Sequence, residues 1–163
     1  MIKNQDGINI KDTIGCSPLY AAYQQGRKDI EKILLDNQPE SNAQNTRGFS
    51  PLIITCQMSH EYIMKLLLNF QADINLQHAN GDTTLLISCV NGYKDIVKIL
   101  LDNQAKINAQ NTQGGTPLFM VCQEGHKNIV KNLLNKRAGV NLYAVGFIYG
   151  ISAETQRHCK TLV

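Results

Sequence analysis

Residues 115–134 read GTPLFMVCQEGHKNIVKNLL, two short amphipathic helices with their start, turn and stop signals in place. Thr116 is a hydroxyl N-cap able to accept an orphan amide, and Pro117 follows at the first helical position, where its missing N–H costs nothing. Leu118, Val121 and Cys122 then fall at i, i+3 and i+4 on one apolar stripe, and Gly125 stops the helix by tolerating a left-handed backbone. Ile129, Val130, Leu133 and Leu134 form a second stripe, with Lys127 and Lys131 on the water side. Isolated helices shorter than about 12 residues are marginal in water. Each therefore needs the other, and the pair needs neighbours.

Those neighbours recur every 33 residues: Ser17-Pro18-Leu19, Ser50-Pro51-Leu52, Thr83-Thr84-Leu85 and Thr116-Pro117-Leu118. The same step relates Ile30, Ile63, Ile96 and Ile129, then Leu34, Leu67, Leu100 and Leu133, then Asn42, Asn75, Asn108 and Asn141. No gap breaks the register. A period of this size means stacked supersecondary units that share one elongated core.

With the period, the Thr-Pro-Leu helix starts, the Gly125-His126 turn and the arm Ala72-Asp73-Ile74-Asn75 in view, the chain resembles the ankyrin repeats. The resemblance implies an all-α ankyrin-repeat solenoid of stacked antiparallel helix pairs with projecting β-hairpin loops, its first helices and loop tips forming a concave binding surface. It divides the chain into residues 1–11, the end of a preceding repeat or an N-terminal cap, repeats at 12–44, 45–77, 78–110 and 111–143, and residues 144–163, a degenerate repeat or C-terminal cap and tail. Residues 1–11 align with the close of a repeat, so the chain opens in mid-unit, either as a piece of a longer array, the reading we favour, or behind a shortened cap.

Departures from the family pattern are regular. The histidine of Thr-Pro-Leu-His is replaced by Tyr20, Ile53, Leu86 and Phe119, so apolar packing has to hold that turn. The alanine two places on becomes Ala22, Thr55, Ser88 and Val121, a variant core, and Thr84 stands where proline is expected.

Composition agrees with a packed, mildly basic protein: 43% hydrophobic residues and 16 Lys+Arg against 13 Asp+Glu in 163 residues, a balance that does not by itself announce nucleic acid. Cys56, Cys89 and Cys122 are one repeat column. Equivalent positions on stacked helices stand about 8 to 10 Å apart, beyond the roughly 7 Å reach of a disulfide, so these cysteines read as small apolar core residues. Cys16 and Cys159 lack metal-ligand spacing to any partner. No charged-then-apolar leader precedes residue 12, and no apolar run approaches the roughly 20 residues that span a bilayer, so a cytoplasmic or nuclear protein without membrane insertion is expected.

No catalytic, cofactor-binding or metal-binding residues are expected. Residues 28–48 and 94–114 share 16 of 21 positions, and such repetition offers little of the convergence of unlike residues that catalysis requires. His60 and His126 read as turn residues, His78 as a solvated loop tip in the column of Asn45 and Asn111, and Gly48 and Gly114-Gly115 as repeat turns rather than phosphate loops. The asparagines of the column from Asn42 to Asn141 read as local backbone partners at the hairpin. Lys32, Lys65, Lys98 and Lys131, with Lys28, Lys94 and Lys127, form an outer basic ridge that reads as a solvated helix face, and it lacks the stacking aromatics a nucleic-acid groove would want.

The expected function is therefore a non-enzymatic protein-protein interaction module. Carrying the family's contact columns onto this chain selects Thr13, Ile14, Gln24 and Gln25, then Thr46, Arg47, Phe49, Gln57 and Met58. Further along it selects Asn80, Asp82, Val90 and Asn91, then Gln113, Gln123 and Glu124. Aromatic and Arg anchors carry most binding energy, which puts Phe49, Arg47 and Met58 first. The partner is a polypeptide that this reading leaves unidentified, with no small-molecule substrate. The alternative is a regulatory or targeting ankyrin segment of a larger enzyme or membrane protein; a weaker third is an anionic-surface or nucleic-acid binder through the lysines. End-to-end self-association stays open.

Overall fold

The computed structural model describes residues 7–37 and 40–138. Asn141, Cys159 and the closing segment 144–163 lie outside the described residues, as do the side chains of Lys28 and Lys32. The chain divides into two compact units, Met1–Ala79 and Asn80–Val163. In the first, a short 3-10 turn (Gly7–Asn9) precedes α1 (Pro18–Gln25), α2 (Lys28–Asp36), α3 (Pro51–Gln57) and α4 (Glu61–Asn69). The second holds α5 (Thr84–Val90), α6 (Lys94–Asp102), α7 (Pro117–Glu124) and α8 (Lys127–Asn135). Every regular element among the described residues is helical.

The local signals act as their chemistry requires. The hydroxyls of Ser17, Ser50, Thr83 and Thr116 each accept the amide three residues on, from Tyr20 at 3.2 Å and from Ile53, Leu86 and Phe119 at 3.3 Å. Proline sits at the first turn of α1, α3 and α7. Thr84, in the same place on α5, is buried, and its carbonyl accepts from the Ser88 hydroxyl at 2.7 Å. Gly26 and Gly125 end α1 and α7 in the left-handed region, at φ 62° and 78°.

Within each unit the helices are too short to stand alone, so packing supplies their stability. Helix α1 packs on α2 and on α3, and α3 on α4; α5 packs on α6 and α7, and α8 lies against both α6 and α7. Tyr20, Ile53, Leu86 and Phe119, which replace the family's histidine, are all buried, so the turn is held by apolar contact. The variant positions on the same helices keep their polarity satisfied: Thr55 Oγ1 donates to the Leu52 carbonyl at 2.9 Å. Cys16, Cys56, Cys89 and Cys122 all lie in buried positions.

The repeat columns are buried unevenly. Leu67, Leu100 and Leu133 are fully covered, but Leu34 is half-buried. Ile63, Ile96 and Ile129 are 2%, 4% and 2% exposed, whereas Ile30 is 49% exposed. The expectation of one uniform core column thus fails at its first member. Helix α2 belongs to the opening pair of the first unit, and the turn Gly7–Asn9 before it packs on α1.

A second irregularity is in the backbone. Gln71, Gln104 and Arg137, one column at the ends of α4, α6 and α8, have φ of 59°, 62° and 64°, and Ser59 has 55°. Ordinary L-residues pay about 1–2 kcal/mol for this conformation. Glycine would adopt it freely, and three members of the Ser59 column are glycines: Gly26, Gly92 and Gly125.

Two stability measurements follow from this packing. Ile63→Ala should cost about 3 kcal/mol in urea unfolding followed by circular dichroism, within the range for buried large-to-small changes, while Ile30→Ala should cost less than about 1 kcal/mol. Equal losses would show that the two positions are equally covered. Gln104→Gly should raise the thermal midpoint, because relief of left-handed strain exceeds glycine's added unfolded-state entropy by about 0.5–1 kcal/mol; a lowered midpoint would contradict that assignment.

Candidate functional site

The candidate residues lie on the loops that precede α1, α3, α5 and α7 and on the ends of those helices. Three of the loops close the same way. The amide of the first residue donates to the carbonyl of the fifth: Asp12 to Cys16 at 3.0 Å, Asn45 to Phe49 at 3.1 Å, and Asn111 to Gly115 at 3.1 Å. The first residue's side chain then clamps the tip from inside. Asn45 Oδ1 accepts from the amides of Arg47 and Phe49, both at 3.0 Å. Asn111 Oδ1 does the same for Gln113 at 3.1 Å and Gly115 at 2.8 Å, and Asp12 Oδ1 for Ile14 at 3.0 Å and Cys16 at 2.8 Å. A short carbonyl or carboxylate side chain is what such a turn needs.

Adjacent tips are laced together inside each unit. In the first, the Thr46 amide and hydroxyl both donate to the Ile14 carbonyl at 3.1 Å, and the Ala79 amide donates to the Arg47 carbonyl at 3.0 Å. In the second, the Thr112 amide and hydroxyl reach the Asn80 carbonyl at 3.0 and 2.9 Å. The tips approach so closely that a Cβ on Gly48 would stand 2.8 Å from the His78 Cα and 2.9 Å from the Ala79 nitrogen, and its φ is +79°. Glycine is required there on both counts.

The side chains at the middle tip form a stack. Arg47 Cζ lies 5.3 Å from the centroid of the Phe49 ring, and Phe49 stacks on His78 with centroids 4.9 Å apart and planes inclined by 26°. Phe49 and His78 are half-buried and Arg47 is exposed. His78 was expected to be a solvated turn residue; instead its ring covers one face of Phe49. Imidazole at the clamp position brings an aromatic surface where the other loops have an amide or a carboxylate.

Tyr20, just inside this edge, has its phenol raised above the ordinary 10.0, first by burial and then by Cys16 and Asp12, while Arg47 pulls it down.

The remaining selected residues are accessible. Thr13, Ile14, Gln24, Gln25, Thr46, Gln57 and Met58 are exposed in the first unit, Ile14 by 55% and Met58 by 42%. In the second unit Asn80, Asn91, Gln113, Gln123 and Glu124 are exposed and Asp82 and Val90 half-buried. Two serve the scaffold as well: Asp82 Oδ1 accepts from Asn111 Nδ2 at 2.9 Å, and Asn91 Nδ2 donates to the Ile87 carbonyl at 2.9 Å.

The remaining histidines, asparagines and lysines take separate roles. His126 Nε2 lies 3.1 Å from the Val90 carbonyl, a tie from one helix pair to the other. Nδ1 of His60 is buried and has no hydrogen-bond partner among the described residues. Among the described residues, no group of three or more His, Cys, Asp or Glu could hold a metal, and no helix is long and apolar enough to cross a membrane. Among the described residues Asn42 bonds the next arm and not its own hairpin: its Oδ1 accepts the Asp73 amide at 2.7 Å, as Asn9 Oδ1 accepts that of Glu40 at 2.9 Å. At Asn9 and Asn42 the column stitches one arm to the next. Lys65, Lys94, Lys98, Lys127 and Lys131 are exposed, and Lys65 pairs with Glu61 at 2.6 Å, an i,i+4 surface bridge of small energetic weight.

Sequence reasoning missed an apolar stripe on the outer face of α4. Tyr62 is 65% exposed and Phe70, at its C-cap, 43%, with half-buried Leu66 between them at i+4. The signal was available. The Tyr62 column elsewhere holds Asp29, Asp95 and Asn128, and the Phe70 column holds Asn37, Asn103 and Lys136.

A family model for ankyrin repeats, built of three copies, matches residues 1–78 and again residues 62–144. No curated protein matches the chain.

The tip geometry has a consequence in alkaline solution. Tyr20 keeps its proton longer in the folded than in the unfolded chain, so the stability it contributes is whole below about pH 10 and is lost as pH rises through its folded pKa. Tyr20→Phe should therefore flatten the alkaline fall in thermal midpoint. Arg47→Ala should move one tyrosine ionisation in a near-ultraviolet absorbance titration to higher pH; a move to lower pH would mean that Arg47 does not act on Tyr20.

Proposed function

The chain belongs to the ankyrin-repeat family, and on that premise we propose that it is a non-enzymatic module that holds a polypeptide partner along its loop tips and first-helix ends. Ankyrin repeats are in general protein-protein interaction modules. The observation that carries the reading further is the middle loop of the first unit. It presents an Arg and a Phe, residue types that dominate interface energetics, from a backbone tied on both sides. A rigid presenting loop loses little conformational entropy on binding, so more of the contact energy appears as affinity. Gln24, Gln25, Gln57 and Met58 on the adjoining helix ends supply the surrounding contact area. The same reading carries a cytoplasmic or nuclear setting and no substrate.

Capture from a cell lysate, with quantitative mass spectrometry, tests the location of the surface. The Arg47→Ala/Phe49→Ala chain should lose partners that the parent retains, by about tenfold or more for a hot-spot pair. A Tyr62→Ser/Phe70→Ser chain should retain them, both variants being checked for unchanged helix content. Loss confined to the second variant would move the interface to the outer face of α4.

A further inference from the structure

We propose that the Arg47–Phe49 stack is a receptor for a carboxylate side chain flanked by an aromatic or aliphatic one, so that the partner segment is acidic and apolar together. The inference rests on the partner-binding reading and gives that partner a chemistry.

The Arg47 guanidinium lies over the Phe49 ring and, among the described residues, makes neither an ion pair nor a hydrogen bond. Its own amide and that of Phe49 are both held by Asn45 Oδ1, its carbonyl accepts from Ala79, and the buried Asn45 side chain anchors the whole turn. The ring beneath it is backed in turn by His78. Stacking on an aromatic face restricts the orientation of the guanidinium plane while leaving its edge N–H donors free. A planar fork of unpaired donors matches a carboxylate through two parallel charge-assisted hydrogen bonds.

Charge selects carboxylate over phosphate. Asp12 clamps the neighbouring tip through the amides of Ile14 and Cys16, and Thr46 ties that tip to the Arg47 loop, so a negative side chain shares this edge with the Arg47 guanidinium. The Lys11 ammonium on the same loop is turned to the Gln44 carbonyl at 3.2 Å. With Lys11 and Arg47 positive and Asp12 negative, these two tips carry a net single positive charge, which suits a monoanion better than a phosphate dianion. Apolar surface completes the site: Ile14 is 55% exposed on the neighbouring tip, joined to this one through Thr46.

A dye-labelled random copolymer of Glu and Tyr serves as the probe, followed by fluorescence anisotropy at low salt against the whole chain, with a Lys/Tyr copolymer as the comparison. The Glu/Tyr copolymer should bind and the Lys/Tyr copolymer should bind at least about tenfold more weakly, the scale of a charge-assisted pair. Arg47→Ala should weaken Glu/Tyr binding by about tenfold, and Arg47→Lys should also weaken it, because an ammonium lacks the bidentate fork. Lys131→Ala should leave it unchanged. Thermal midpoints are measured alongside, and Arg47→Lys keeps the test decisive if a larger change disturbs the loop. Unchanged binding by Arg47→Ala, equal binding of the Lys/Tyr copolymer, or displacement of the probe by inorganic phosphate at concentrations where acetate has no effect would each overturn the proposal. No binding of the Glu/Tyr copolymer, with lysate partners still lost in the Arg47/Phe49 variant, would end this proposal and leave the partner-binding reading standing.

Discussion

Burial of one short helix pair against the next is the constraint on which each unit depends. None of the helices among the described residues exceeds nine residues, so propensity and caps cannot hold them by themselves. What holds them is the covered surface of Leu67 and Ile63 in the first unit and of Leu100, Leu133, Ile96 and Ile129 in the second. The same arrangement explains why substitutions that look severe as a list are tolerated in place. Tyr20, Ile53, Leu86 and Phe119 abandon a polar turn device altogether, yet each is buried and adds apolar area where the histidine would have added a hydrogen bond.

The loops obey a different economy. They bury little, and hydrogen bonds between backbone groups and short side chains give them shape. Asp12, Asn45 and Asn111 each satisfy two amides of their own turn, and the threonines Thr46 and Thr112 tie each tip to its neighbour. Once the backbone is held in this way, the side chains between the ties are released from structural duty. That is why Arg47 can stand with its donors unpaired, whereas Asp82 and Asn91, selected by the same family columns, have been drawn partly into the scaffold.

Much of this was legible in the residues themselves. Caps, proline starts, glycine stops and the two apolar stripes are local features, and the geometry of a helix terminus depends on few neighbours; Thr116, Pro117 and Gly125 do what their chemistry dictates. Candidate contacts were legible to the extent that loop tips and helix ends are accessible. Less legible were features whose meaning depends on what lies across a gap in sequence. Asn42 serves Asp73 rather than its own hairpin, and the His78 ring finds Phe49 29 residues away. The stripe of Tyr62, Leu66 and Phe70 was visible as a break in otherwise polar columns, but its exposure had to come from the fold.

Sequence alone determined the 33-residue unit, the helix boundaries and the identity of the buried columns, because these follow from periodicity and from terminal hydrogen bonding that one turn of chain can satisfy. Tertiary structure decided which members of equal columns differ. Ile30 and Ile63 are the same residue at the same place in their repeats, and neighbouring elements cover the second far more completely than the first. It decided too that Arg47, Phe49 and His78 meet, since a stack between loops exists only when packed helices bring their tips within reach.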